Sequence, residues 1–346
     1  MKNYRYFIAT LMLAIAGAFQ ASAQVTETPY SRLGYGTLGD NATGIQRHMG
    51  GVGYAMQGGR AVNSKNPASY AATDSLTFIW DVGVDVSQVW SKEGDTKGNA
   101  FSGGLDYLSG VFRIAKNVGG SFGFIPYSSV SYSFNSDLAN GSESRSGNGS
   151  ISELYLGGAW SPVRGLSVGA NFSYMFGTLE HSTAIVGTST SVFYRMMEVR
   201  DWNVHIGAQY AIDINRKNRV VLGATYTPKK TFRGNTIGTF YDAANDTKID
   251  TAFQCNMKGN YEQPNTYGVG ISYNHGTKLF AEVDFTYQDW AKAKYTPMTG
   301  FEPVKVKFDN RWKVSGGLQF IPDDRGNYLK RINYRLGAFY NHDYLN

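Results

Sequence analysis

From Ser75 onward the chain alternates between apolar and small polar residues with a period of two. Leu76, Phe78, Trp80, Val82, Val84 and Val86 hold one parity, and Thr77, Asp81, Gly83, Asp85 and Ser87 hold the other. Successive side chains of a strand point to opposite faces, so the two sets fall on opposite sides of a sheet. Phe122, Phe124, Val130, Tyr132 and Phe134 repeat the pattern against Ser121, Gly123, Ser129, Ser131 and Ser133. It returns in Leu166, Val168, Ala170, Phe172, Tyr174 and Phe176, and again over 204–212, 220–226, 267–273, 279–287, 312–320 and 332–340. With weaker stretches near 104–115 and 150–161, this predicts about eleven strands of roughly ten residues or more.

The occupants of the second face separate a soluble sandwich from a membrane barrel. A sandwich shows that face to bulk water and fills it with Lys and Glu, whereas here it carries Gly, Ser, Asn, Thr, Asp and Gln. Strands of about ten residues also exceed the roughly five to six common in globular sheets and match a tilted membrane strand. Aromatics near strand ends, Trp80, Trp90, Tyr107, Tyr127, Trp160, Trp202, Trp290 and Trp312 among them, read as interfacial girdles. Compact turn signals at 116–117, 162–164, 215–218 and 274–276 alternate with longer polar stretches around 91–100, 136–149, 178–190, 230–262 and 289–308. Short turns on one side and long loops on the other are what a transmembrane antiparallel β-barrel requires. Only a closed barrel lets strands cross lipid with every backbone group bonded.

Composition agrees. Charged residues make up 17% of the 346, below the roughly 25% of globular domains, and aromatics reach 14%. That aromatic content excludes wholesale disorder, and the single Cys255 excludes a disulfide scaffold. Beyond the N-terminus no apolar run approaches the roughly 18 residues of a spanning helix. Residues 1–23 form a secretory signal peptide: Lys2 and Arg5, an apolar run over 7–19, then Ala21-Ser22-Ala23 before Gln24. Its removal lowers the formal charge from +6 to +4. No basic cluster exceeds short runs such as Lys229-Lys230, so no nucleic-acid partner is expected.

Residues 24–74 lack alternation and are rich in glycine, and an irregular segment of about fifty residues needs a function. A plug folded inside the lumen is one, since close backbone packing favours Gly. Gly50-Gly51-Val52-Gly53 lacks the spacing and flanking elements of a phosphate-binding loop. The run 58–69, GGRAVNSKNPAS, stands just before the first long strand and carries the triplet Asn66-Pro67-Ala68. On these residues the chain resembles the FadL-type outer-membrane transporters of long-chain fatty acids and aromatic hydrocarbons. The opening run 28–36, TPYSRLGYG, is similar to the start of the Bacteroidetes branch.

The resemblance implies a 14-stranded barrel closed by an N-terminal hatch over 24–74. A hydrophobic ligand would pass from an outer site into the lumen and leave sideways through a gap at a kinked strand. Asn66, Pro67 and Ala68 would sit where hatch meets wall; the alternative for Asn-Pro is a tight turn entering the first strand. Residues 75–346 would form the barrel. Eleven strands fall about three short of fourteen, and the chain lacks a final strand with a terminal aromatic, so a barrel incomplete at its C-terminus is expected.

No enzyme is expected. The five histidines, at 48, 181, 205, 275 and 342, show no metal-ligand spacing, and no third group can be placed beside His205 for a triad. Neither cofactor nor metal is implied. The expected partners are a hydrophobic small molecule and outer-membrane lipid, with the barrel a monomer in a Gram-negative outer membrane. The alternative is a FadL-like barrel that serves as a structural partner in protein export, as type IX secretion shuttle barrels do. A general porin fits less well, because it needs a charge-lined constriction and no apolar hatch.

Overall fold

A computed structural model describes residues 28–59, 61–93, 96–187, 190–242, 247–248, 253–298, 301 and 307–345. The expected signal peptide and Arg60 lie outside them. Eleven strands follow one another in chain order as neighbours in one sheet. They are β1 (Phe78–Glu93), β2 (Thr96–Ala115), β3 (Val118–Leu138), β4 (Gly141–Val163), β5 (Leu166–Val186) and β6 (Thr190–Asp213), then β7 (Asn218–Thr227), β8 (Thr266–His275), β9 (Leu279–Gln288), β10 (Arg311–Phe320) and β11 (Tyr334–His342). Every neighbouring pair is antiparallel. Among the described residues β1 and β11 do not pair with each other, so the sheet stays open between them. A further strand, Gly234–Asp242, continues the wall beside β6 where β7 has ended.

The apolar parity faces outward and the small polar parity inward, the inverse of a water-soluble protein. On β1, Trp80, Val84 and Val86 are exposed. On β5, Phe172 is exposed while Asn171, Ser173 and Met175 are buried. Soluble monomers do not leave so continuous an apolar band uncovered, and a barrel in lipid does.

Two details depart from the pattern-based expectation. The polar stretches near 91–100, 136–149 and 178–190 are largely strand. β4 and β6 run for 23 and 24 residues, about twice what a bilayer crossing takes, and β3 joins β4 through Ala139-Asn140 alone. A ribbon with polar residues on both faces carries no alternation, so the sequence does not separate it from a loop. The aromatic positions also divide. Trp80, Trp90, Trp160 and Trp202 point outward, but Tyr107 is buried inside and Trp290 is 1% exposed. Trp290 lies on a 3-10 turn, Trp290–Lys292, that folds back over the interior, and strand spacing gives no sign of that.

Residues 28–74 pack on the inner face. A 3-10 turn (Pro29–Arg32), a short strand (Thr37–Leu38), a single helical turn (Gly44–Arg47) and a 3-10 helix (Pro67–Ala72) are joined by irregular chain. Thr43 and Gln46 cap the helical turn reciprocally. The wall makes room with glycine. A Cβ on Gly119 would stand 1.9 Å from the Tyr70 carbonyl oxygen, and one on Gly223 would stand 1.9 Å from that of Tyr54. Gly50 and Gly51, at φ +72° and +80°, supply a turn that side chains resist.

The wall is discontinuous at one place. β2 pairs with β1 from end to end, yet it pairs with β3 only through Leu108–Ala115 against Val118–Phe124. Beyond Phe124 the two strands part. The register of β3 shifts between Pro126 and Ser128, where Pro126 has no N–H to donate.

Candidate functional site: a hatch beside a break in the wall

The N-terminal segment takes up the edge that β2 leaves free. Thr37 and Leu38 pair with Ser129 and Ser128 of β3. Above and below them, the Thr28 N–H donates to the Ser131 carbonyl at 2.8 Å and the Gly39 N–H to that of Tyr127 at 2.7 Å. Beneath the break, Arg47 of the helical turn meets Asp106 of β2 at 2.5 Å and lies over the Tyr107 ring. Asp106 reaches inward because it sits at a bulge, between Tyr107 opposite Gly83 and Leu105 opposite Val84. A cavity of about 160 Å³ occupies this corner, bounded by Leu38, Leu105, Phe124 and Pro126 together with Arg47, Asp85 and Asp106.

The rest of the hatch is fixed by polar side chains of the wall. Asp284 on β9 accepts the N–H groups of Gly53 and Tyr54 at 2.8 and 3.1 Å, and Glu282 accepts that of Ala55 at 2.7 Å. The carbonyls of the same stretch are bonded too: Gln209 donates to Tyr54 and Met56, and Ser272 donates to Ala55. Lys65, 4% exposed, stands 3.5 Å from Asp40 and 3.9 Å from Asp284, and donates to the Gly51 carbonyl. Lys313 of β10 pairs with Asp40 from the other side. Three carboxylates and two ammonium groups thus share one buried network. Glu282 Oε2 and Asp284 Oδ1 have no hydrogen-bond partner in it.

Asn66, Pro67 and Ala68 are brought together at the foot of this network. Asn66 caps the 3-10 helix: its Oδ1 accepts from the Ala68 N–H at 3.0 Å, and its amide donates to the carbonyls of Tyr54 and Ala208. The triplet rests on Gly169 of β5 and Gly207 of β6, which are cross-strand partners. A Cβ on Gly207 would lie 2.1 Å from Asn66 Oδ1. His205 bonds Thr227 at 2.7 Å and the Lys65 carbonyl at 2.9 Å, so both ring nitrogens are engaged in holding the hatch. Arg113 donates to the Thr73 carbonyl and Arg335 to Gln319.

Sequence reading missed Pro126, Asp106 and the pair Glu282/Asp284. The Pro inside an otherwise alternating run was the available signal for the kink. The acid pair at i and i+2 of one strand was the signal for the clamp, because such residues share a face.

Toward the long-hairpin end the interior changes character. Tyr35, Phe232, Tyr261, Trp290 and Tyr344 form one buried cluster with Met175, Met197, Met257 and Leu179. The Tyr35 ring centroid lies 5.3 Å from that of Phe232 and 5.6 Å from that of Trp290. Tyr344 donates to the Gly36 carbonyl at 2.6 Å. Between this cluster and the hatch lies a second cavity, of about 100 Å³, lined by Asp40, Tyr54, Glu153, His205, Gln263 and Arg311.

An outward-apolar antiparallel sheet that packs its own N-terminal segment on its inner face and parts beside it defines a barrel-type wall with an internal plug. The BamG family model matches residues 4–346, and the chain belongs to that family. Among solved structures it is similar to a Pseudomonas aeruginosa FadL homologue, with a TM-score of 0.60 and 11% identity over 90% of this chain and 82% of that one. It is also similar to the Ralstonia pickettii toluene transporter TbuX (TM-score 0.55, 13% identity, 88% and 87% covered). The CymD monoaromatic hydrocarbon channel gives a TM-score of 0.52 at 17% identity, with 89% and 84% covered. No curated protein sequence matches the chain. At these identities the structural likeness carries the fold, and the FadL resemblance read from the sequence holds at that level.

Proposed function

We propose that this chain resides in the outer membrane of a Gram-negative bacterium and passes hydrophobic small molecules, long-chain fatty acids or similar, to a lateral exit between β2 and β3. Residues 1–23 direct export, 24–74 form the hatch, and 75–346 form the wall of a monomeric barrel of the Bacteroidetes branch that has no enzymatic role. Asn66, Pro67 and Ala68 anchor the hatch. The observation that carries this reading is the parting of β2 from β3 beside the hatch, with a cavity lined by Leu38, Leu105, Phe124 and Pro126 in the opening. The fold likeness to hydrocarbon channels supports it, as does the Met-rich aromatic cluster, since methionine re-packs readily around varied apolar guests. A sideways route keeps an apolar molecule out of water for its whole passage.

A disulfide that locks the N-terminal segment onto the β3 edge of the break tests it. In a Cys255→Ser background, the pair Leu38→Cys and Ser128→Cys joins two positions that are Cα partners. Uptake of a labelled aromatic hydrocarbon and a labelled fatty acid, in cells lacking other such transporters, should fall to background when the bond forms and return on reduction. Uptake indifferent to the tether would exclude the lateral route.

One observation favours a second reading, in which the barrel is a structural partner in protein export. The two cavities, at about 160 and 100 Å³, are smaller than the roughly 300 Å³ of the smallest common ligand pockets. A protein recovered in equal amount with the barrel after gentle extraction, together with uptake no faster than in empty cells, would establish that role instead.

A further inference from the structure

We infer that the hatch anchor is a proton-binding site: a single proton, carried by Glu282 and shared with Asp284, completes the clamp on residues 53–55. The site concerns how the hatch is seated, so it stands whether the barrel passes small molecules or serves an export partner.

Each of the two acids has one oxygen engaged and one left over. Glu282 Oε1 accepts the Ala55 N–H, and Asp284 Oδ2 accepts those of Gly53 and Tyr54. Glu282 Oε2 and Asp284 Oδ1 are shut off from solvent without a partner. The residues stand at i and i+2 of β9 on one face, and their side chains lie within hydrogen-bond reach of each other. Neighbouring strands bring no titratable group opposite them: Glu282 is paired with Ser272 and Gly317, and Asp284 with Gly270 and Ser315. The Ser272 hydroxyl already donates to the Ala55 carbonyl. A Cβ on Gly270 would stand 2.1 Å from Asp284 Oδ1, so that oxygen lies against bare backbone.

The cations present do not cover both acids. Lys65 stands 3.5 Å from Asp40 and 3.9 Å from Asp284, and Lys313 pairs with Asp40. Among the described residues no ion pair engages Glu282. The other titratable groups around the network have partners of their own. Tyr54 bonds Thr286, His205 bonds Thr227 and the Lys65 carbonyl, Arg311 donates to Gln288, and Glu153 accepts from Ser173 and Asn203.

A buried carboxylate with no cation beside it and a like charge two residues away is costly. One proton removes that charge and, donated from Glu282 Oε2 to Asp284 Oδ1, satisfies both orphaned oxygens. It resides on Glu282 because Asp284 has more that favours an anion, namely two backbone donors and Lys65 against a single donor. A calcium ion in its place would need six to eight oxygens, and two are offered. Once the hatch unseats and water reaches Glu282, the acid ionises at neutral pH and the proton leaves. Unseating is therefore eased as pH rises, by at most about tenfold per pH unit for one proton, until the seated acid has ionised as well.

The test uses the full chain in detergent and has two readouts. The first is the infrared C=O stretch of a protonated carboxyl, which carboxylates lack and which shifts in heavy water. The wild type should show it at neutral pH. Glu282→Gln and Asp284→Asn should each lose one carboxyl's share of it, because either amide supplies the donor that the proton supplied. The second is thermal unfolding between about pH 6 and about pH 9, over which the unfolding constant of the wild type should rise relative to that of Glu282→Gln by up to about tenfold per pH unit. A band identical in the wild type and both variants, or stability that falls with pH as steeply in Glu282→Gln as in the wild type, would overturn the inference. A wild-type spectrum without the band would overturn it with no variant needed, as when a sodium ion holds the two oxygens together instead. None of these outcomes touches the transport reading, which the tethering experiment decides.

Discussion

Two parts of the hatch touch the wall in different ways. Residues 53–56 and 65–68 are held by side chains: four wall residues bond the backbone of 53–56, and Lys65 joins two acids. Residues 37–39 are hydrogen-bonded to the wall through backbone alone, as an added strand on the edge of β3, next to Tyr35, which is buried in the aromatic cluster. The first contact cannot be broken without stranding buried charge. The second exchanges one set of peptide hydrogen bonds for another and strands nothing that water or a neighbouring strand cannot satisfy. A fixed anchor and a removable flap are thus built into one segment of chain, and the flap is the part that lies on the break.

The largest effect should come from removing the ammonium at the centre of the anchor. Lys65→Met leaves Asp40 and Asp284 facing each other with Lys313 as the remaining cation of the network, and breaking a buried pair in this manner costs about 3–5 kcal/mol. The hatch should unseat, and single-barrel conductance in a planar bilayer should rise from closed to open. A Lys65→Met barrel that stays closed would show that the ion network is not what holds 53–56.

Next in size is overpacking. Gly223→Ala places a Cβ 1.9 Å from the Tyr54 carbonyl, so the hatch backbone must retreat at a cost of about 1–3 kcal/mol. A comparable but more diagnostic effect belongs to Glu282. Glu282→Ala deletes the acceptor for the Ala55 N–H and should cost about 1–3 kcal/mol. Glu282→Gln should cost less, because the amide still accepts from Ala55 and can donate to Asp284 Oδ1, which lacks a partner. Thermal unfolding in detergent ranks the three variants, and a Gln variant as unstable as the Ala variant would mean that Glu282 acts through its charge.

This division was only partly legible in the sequence. The wall was legible because alternation is a local signal: each run such as Leu166 to Phe176 carries its own evidence, and the eleven expected strands correspond to the eleven that pair in order. The glycine content of 24–74 announced close packing, and Asn66-Pro67-Ala68 pointed to the region where Asn66 contacts Ala208. The partners on the wall were not legible. Glu282 reaches Ala55 across 227 positions, and Asp284 reaches Gly53 across 231. Nothing local distinguishes those acids from Asp81 or Asp85 on β1, which follow the same parity. The break was hidden for a related reason: pairing is a property of two strands rather than of either.

The finest test of anchor against flap is the order in which their amides exchange with solvent. The N–H groups of Gly53, Tyr54 and Ala55 donate to carboxylates that are 2% exposed, so their exchange requires the hatch to leave its network. Those of Thr28 and Gly39 donate to carbonyls on the edge of β3 and need only a local lift. Hydrogen exchange read by mass spectrometry on the detergent-solubilised protein should therefore find Thr28 and Gly39 exchanging first. Leu38→Gly, which loosens the added strand by about 0.5–1 kcal/mol, should hasten exchange at Gly39 and leave 53–55 unaltered. If exchange at 53–55 quickened in step, flap and anchor would be a single cooperative body, and opening the passage at the break would then require the ion network to come apart as well.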